Sequence, residues 1–125
     1  MLTLDGDLWA TLRSVNRSVN GHSYKTDMQR YGREEFWAEI DQGGDCEDYA
    51  LEKRRRLLAA GVPLDALKIA ICRTETGEGH AVLMIDTNKG AYVLDNRRQN
   101  PTPWEQLPYQ WLMRQRGKAW VKILP

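Results

Sequence analysis

Residues 43–63 read GGDCEDYALEKRRRLLAAGVP, and the rest of the fold is read outward from this stretch. Gly43-Gly44 breaks the chain, Asp45 suits an N-cap, Glu47 and Asp48 place acids in a first helical turn, and Gly61 followed by Pro63 stops the run. A helix over about Cys46–Ala60 is predicted. Its apolar stripe is Cys46, Tyr49, Ala50, Leu57 and Leu58, with the aliphatic stem of Lys53 covering the gap. The start of the helix therefore lies on the buried side, and Cys46 faces the core or a cleft.

Toward the N-terminus, Leu8, Trp9, Leu12, Val15 and Val19 recur at steps of three and four, which predicts an amphipathic helix between Leu4 and Val19, stopped by Asn20-Gly21. One or two further helical turns fit Glu34–Ile40. After Pro63 the period changes to two. Leu67, Ile69 and Ile71 alternate with Lys68, Ala70 and Cys72, and His80–Ile85 and Ala91–Leu94 flank Asn88-Lys89-Gly90, giving three strands. A fourth strand is expected over Ala119–Leu124, after an irregular connection punctuated by Pro101, Pro103 and Pro108 that contains Trp104 and Trp111. Helices first and an antiparallel sheet afterwards define the α+β class.

At 125 residues the chain is read as a single domain, 1–125, with no repeat or linker. Its 42% hydrophobic and 28% charged residues exclude disorder, collagen-like repeats and a disulfide-stapled miniprotein. Eighteen Lys and Arg against seventeen Asp and Glu leave a net charge of +1, so no general attraction to nucleic acid or an anionic membrane is expected. The first twenty residues carry Asp5, Asp7, Arg13 and Arg17 without a continuous apolar run, which predicts neither a signal peptide nor a membrane span. Taken as written, the product is expected in the cytoplasm, and in the periplasm only if an export signal has been removed. Two cysteines, Cys46 and Cys72, set out no disulfide framework.

A thiol attacks as its thiolate, which the unpaired N–H groups and dipole of a helix N-terminus favour, and the Cys46 main-chain N–H offers one oxyanion donor. A partner follows from hairpin arithmetic. If Asp86 pairs with Ala91, cross-strand residue numbers sum to 177, so Val82 lies opposite Asp95 and His80 shares a face with Asp95 as a diagonal neighbour. The acid would orient the ring and leave its other nitrogen for a thiol. Taken singly, Cys46 reads as a small core hydrophobe, His80 as a strand-end histidine open to water and Asp95 as a turn-former before Asn96. Their convergence favours chemistry.

Other constellations are weaker. Cys46, Cys72, His22 and His80 lack any zinc-site spacing. Asp45, Glu47 and Asp48 could hold calcium through oxygen but lack the EF-hand pattern, and first-turn acids ordinarily cap a helix. These carboxylates also disfavour a Cys46 thiolate unless a cation or His80 offsets them. Lys53-Arg54-Arg55-Arg56 reads as a solvated basic face, Cys72 as a packed thiol, and Trp104, Trp111 and Trp120 as core or cleft walls.

Three blocks, Gly43-Gly44-Asp45-Cys46-Glu47-Asp48-Tyr49-Ala50, Gly79-His80-Ala81-Val82-Leu83 and Val93-Leu94-Asp95-Asn96, resemble the bacterial transglutaminase-like cysteine proteinases in order and context. Val15-Asn16, Val19-Asn20, Tyr31-Gly32 and Phe36-Trp37 resemble the segment that precedes the nucleophile there, so the likeness covers nearly the whole chain. The resemblance implies a papain-like, transglutaminase-like fold with N-terminal helices on an antiparallel sheet. It also implies a triad that cleaves peptide bonds through a thioester acyl-enzyme: Cys46 attacks, His80 relays the proton and Asp95 orients His80. The best-known relatives are periplasmic proteases that release surface adhesins by cutting near a dialanine site, and they require calcium held by acids beside the nucleophile. The matching acids here are Asp45 and Glu47. Such a cation would relieve the electrostatic tension around Cys46. The export signal and N-terminal extension of those enzymes have no counterpart in the sequence, which leads to the expectation of a compact cytoplasmic or phage-encoded relative.

The reading is thus a cysteine endopeptidase acting on a protein or peptide substrate, with no organic cofactor. A thiol acyltransferase is the nearest enzymatic alternative, and a noncatalytic peptide- or protein-binding module of the same fold is the competing class.

Overall fold

The computed structural model describes residues 2–21, 45–116 and 119–123. The expected turns over Glu34–Ile40 lie outside them. Helix α1 spans Gly6–Asn20: the Asp5 side chain accepts from the Leu8 N–H at its start, and Gly21 returns its N–H to the Arg17 carbonyl at its end. Leu12, Asn16 and Val19 form its buried stripe. Helix α2 spans Asp45–Ala59. It ends in a Schellman motif, in which Gly61 takes φ 95° while Val62 N–H reaches the Leu57 carbonyl and Gly61 N–H that of Leu58. Only glycine adopts that conformation without strain. Ion pairs from Glu52 to Arg55 and Arg56 brace its outer face.

The sheet comprises β1 (Leu67–Arg73), β2 (Gly79–Thr87), β3 (Gly90–Leu94), β4 (Thr102–Pro103), β5 (Gln110–Arg116) and β6 (Ala119–Lys122). Their order is β4-β3-β2-β1-β5-β6, and every neighbouring pair is antiparallel. The β2–β3 register is the one the hairpin arithmetic predicts, with Asp86 opposite Ala91 and Leu83 opposite Leu94.

Two expectations change. The connection before the last strand contains two strands: β4 pairs with β3, and β5 lies between β1 and β6. In β5, Trp111 faces Cys72 and Met113 faces Ile71, so Leu112 is an extra residue, a bulge that destroys the alternation by which a strand is recognised. On α2, Leu58 is 40% exposed, whereas Glu47, Asp48 and Lys53 are buried. The buried face of the helix is therefore far more polar than its apolar stripe suggested.

One sheet face, with Ile69, Ile71, Leu83, Ile85 and Leu94, packs with Leu12 of α1 and Cys46, Ala50 and Leu57 of α2. The alternate residues Ala70, Cys72, Val82, Met84 and Val93 pack with Leu107 and Tyr109, and Trp104 and Trp111 close over them. Trp120 packs against the first cluster, so all three tryptophans line cores as expected. No helix among the described residues is long and apolar enough to cross a membrane.

Candidate active site

The first turn of α2, the start of β2 and the end of β3 converge at one end of the sheet. His80 Nε2 lies 2.9 Å from Asp95 Oδ1, and both residues are buried, Asp95 with no exposed surface. Neither is the water-exposed group that a strand end or turn would give. The Cys46 side chain hydrogen-bonds to the His80 ring. With Nε2 committed to Asp95, Nδ1 is the nitrogen left to the thiol. The three residues singled out from sequence are therefore brought together.

The electrostatics favour a charged pair. Burial pulls the His80 pKa down, but the hydrogen bonds and charges of Asp95 and Cys46 outweigh it and hold the imidazolium up to about 9. Burial pushes the Asp95 carboxyl up, and the His80 bond and charge, Tyr109 and the Arg97 N–H pull it down to about 2. Cys72, by contrast, is fully buried, its Sγ sits 3.6 Å from the His80 carbonyl, and burial pushes its thiol well above the ordinary range. It is the packed thiol that its strand position suggested.

Several residues around the pair were given no site role from sequence. Asn20 Nδ2 donates to the Asp95 and Arg98 carbonyls at 3.0 and 2.9 Å, and fully buried Asn16 donates to those of Arg98 and Gln99 at 2.9 Å. The two asparagines thus tie α1 to the loop that carries Asp95. Their signal was available, since Asn16 falls on the buried stripe between Leu12 and Val19, where a polar residue needs a partner. Tyr109 donates to Asp95 Oδ2 at 2.5 Å, and its ring stands edge-on to His80 with centroids 5.6 Å apart. No local pattern marks it.

The acids of α2 divide. The side chain of Asp45 lies outside the described residues. Glu47 is buried, with Oε2 lacking any hydrogen-bond partner among the described residues, and burial together with the charge of Asp48 pushes its carboxyl up to about 7. The chemistry of an orphaned, buried carboxyl oxygen fits a cation. Among the described residues no group of three or more His, Cys, Asp or Glu gathers to hold a metal. The stem of Lys53 covers the gap in the apolar stripe as expected, but its charged end departs from expectation. It is completely buried rather than part of a solvated basic face, its Nζ has no hydrogen-bond partner among the described residues, and it lies 5.9 Å from the Tyr49 ring centroid.

A polar cavity of about 200 Å³ opens beside His80, lined also by Thr74, Glu78, Gly79, Asn96 and Arg97. A substrate could approach the imidazole from there.

Comparison with known proteins points to one family. The family model of the bacterial transglutaminase-like cysteine proteinases, BTLCP, matches residues 1–125. Comparison with curated protein sequences gives no match. Among solved structures, calcium-bound LapG of Legionella pneumophila is 26% identical with a TM-score of 0.70, over 92% of this chain and 68% of that one. The EGTA-treated form is 25% identical with a TM-score of 0.72, over 94% and 68%. Among the described residues two helices on a six-stranded antiparallel sheet, a helix-start cysteine set against a strand histidine, and a match along the full sequence lead to one conclusion: the chain belongs to the bacterial transglutaminase-like cysteine proteinases.

Proposed function

We propose that this cysteine peptidase cleaves a protein substrate through a Cys46-His80-Asp95 triad and a thioester acyl-enzyme. The observation that carries the reading is the buried His80–Asp95 pair at 2.9 Å with Cys46 bonded to the same ring. Cys46 Sγ attacks the scissile carbonyl carbon, and the charge that develops on its oxygen meets the Cys46 N–H in the first turn of α2, where a helix supplies no intrahelical acceptor. The imidazolium of His80 gives its proton to the leaving amine as the C–N bond breaks, which leaves the thioester. Water then attacks the thioester carbon while His80 accepts its proton, and as the C–S bond breaks the carboxylic acid is released and the Cys46 thiolate is restored beside the His80 imidazolium. Asp95 holds the ring in the tautomer this cycle needs.

A direct test is selective labelling. At pH 6, iodoacetamide is expected to modify Cys46 stoichiometrically and faster than it modifies glutathione, while buried Cys72 stays unmodified until the protein unfolds; peptide mapping by mass spectrometry reads both. Cys46 labelling no faster than glutathione would overturn the triad.

Asp45 and Glu47 are assigned to calcium. The orphaned Glu47 oxygen supports this from the structure, and the calcium-bound and EGTA-treated LapG forms support it from the relatives. When bound, the ion would neutralise the acids beside Cys46. Calcium at a hundredfold excess over Kd is expected to stabilise the fold by about 2.7 kcal/mol, a rise in Tm on the order of 10 °C. Glu47→Gln keeps the shape but not the charge, and is expected to abolish that rise. A melting curve of the parent that is the same in millimolar calcium and in chelator would remove the assignment while leaving the triad standing.

A further inference from the structure

We infer that Tyr109 is a positioning residue of the triad, its hydroxyl holding the second oxygen of Asp95 and its ring walling His80 so that the carboxylate has one orientation toward Nε2. The inference rests on the triad reading above and deepens it.

The two oxygens of Asp95 are held differently. Oδ1 accepts from His80 and from the Arg97 main-chain N–H at 2.9 Å each. Oδ2 accepts from the Tyr109 hydroxyl at 2.5 Å. A carboxylate fixed at one oxygen can still swing about its Cα–Cβ and Cβ–Cγ bonds, and fixing the second oxygen removes that freedom. The tyrosine is itself fixed. It is buried just before β5, its ring packs edge-on against His80 and Trp111, and Arg97 Nη1 donates to its oxygen at 3.1 Å while also pairing with Glu75 at 3.0 Å. A hydroxyl that accepts from a guanidinium donates more strongly in turn. The chain Glu75, Arg97, Tyr109, Asp95, His80 therefore links the β1–β2 turn to the imidazole.

The charged and titratable groups around the ring and its acid are Cys46 and Lys53 from α2, Cys72 from β1, Asp95 just after β3, Arg97 from the loop that follows it, and Tyr109 just before β5. Removing only the Tyr109 hydroxyl leaves the others in place. Asp95 then carries a less stabilised charge and holds the imidazolium proton more tightly.

The test follows the titration of His80 by NMR of the nitrogen-labelled imidazole, together with steady-state turnover of p-nitrophenyl acetate. In Tyr109→Phe, which preserves the ring, the His80 midpoint is expected to rise by about half a pH unit or more, and kcat to fall roughly tenfold with KM little changed. A tyrosine that only packs would leave the midpoint unmoved, since phenylalanine packs equally well. Replacing the tyrosines biosynthetically by fluorotyrosine, a stronger donor, is expected to move the midpoint downward. It decides the question even if Tyr109→Phe fails to fold. If the parent His80 titrates at an ordinary 6.5, the His80–Asp95 pairing itself fails. If the parent titrates near 9 and neither replacement moves the midpoint, only the role of Tyr109 is overturned.

Discussion

His80→Ala is expected to slow Cys46 alkylation at pH 6 by about two orders of magnitude and peptide hydrolysis by at least about three. The two figures have different origins. Without its imidazolium partner, Cys46 loses the positive charge that favours its nucleophilic anion, and alkylation slows for that reason alone. Hydrolysis also loses the group that protonates the leaving amine and later deprotonates water, so the loss exceeds that of alkylation. Asp95→Asn is the milder change. It keeps an acceptor for Nε2 but removes the charge that outweighs burial, so the ring gives up its proton near or below its ordinary 6.5 rather than at about 9. The alkaline limb of the pH–rate profile, set by loss of the imidazolium, should move down by the same interval. Stopped-flow alkylation of the three proteins across pH checks both results. A His80→Ala rate within twofold of the parent would dissolve the triad.

The same pair has a signature in stability. The folded pKa of His80 is raised, so its contribution is complete below 6.5 and is lost as pH rises through about 9. That of Asp95 is lowered, so its contribution is complete above 3.8 and is lost as pH falls through about 2. Between 3.8 and 6.5 both contributions are present in full.

What could be read in the sequence were the features with a local period or a local stop. The α2 helix declares itself through its acidic first turn and Gly61, and the His80–Asp95 encounter through the Asn88-Lys89-Gly90 turn, because a short hairpin fixes register and register fixes faces. Strand β5 was hidden because its bulge at Leu112 breaks the period of two, and β4 because two residues carry no period at all. Tyr109 and Asn20 reach Asp95, and Asn16 reaches the loop that follows it, from distant parts of the chain, so their partners belong to tertiary structure. Lys53 misled for a different reason. It opens a run of four basic residues, and the run reads as solvated although its first member points the other way, in register with Cys46 and Ala50.

Lys53→Met is expected to stabilise the protein at pH 6, by about 1–4 kcal/mol, or on the order of 5–10 °C in Tm. The lysine has no exposed surface, and burial drives its pKa down to about 7 against the opposing pull of the Asp95 charge. The larger influence decides the sign. Asp95 is already satisfied by His80, Arg97 and Tyr109, so the ammonium is not needed to neutralise it, and what remains is the cost of keeping a charge out of water. Because the folded pKa lies below the unfolded 10.5, this cost is absent above 10.5, grows as pH falls toward 7 and is constant below it. The stabilisation by methionine, which keeps the length and the packing of the stem, should therefore be greatest below pH 7 and shrink steadily toward pH 10. Thermal melts of both proteins across that range measure it. A methionine variant that melts lower than the parent at pH 6 would show instead that the buried ammonium is a counter-ion on which the triad's acid depends.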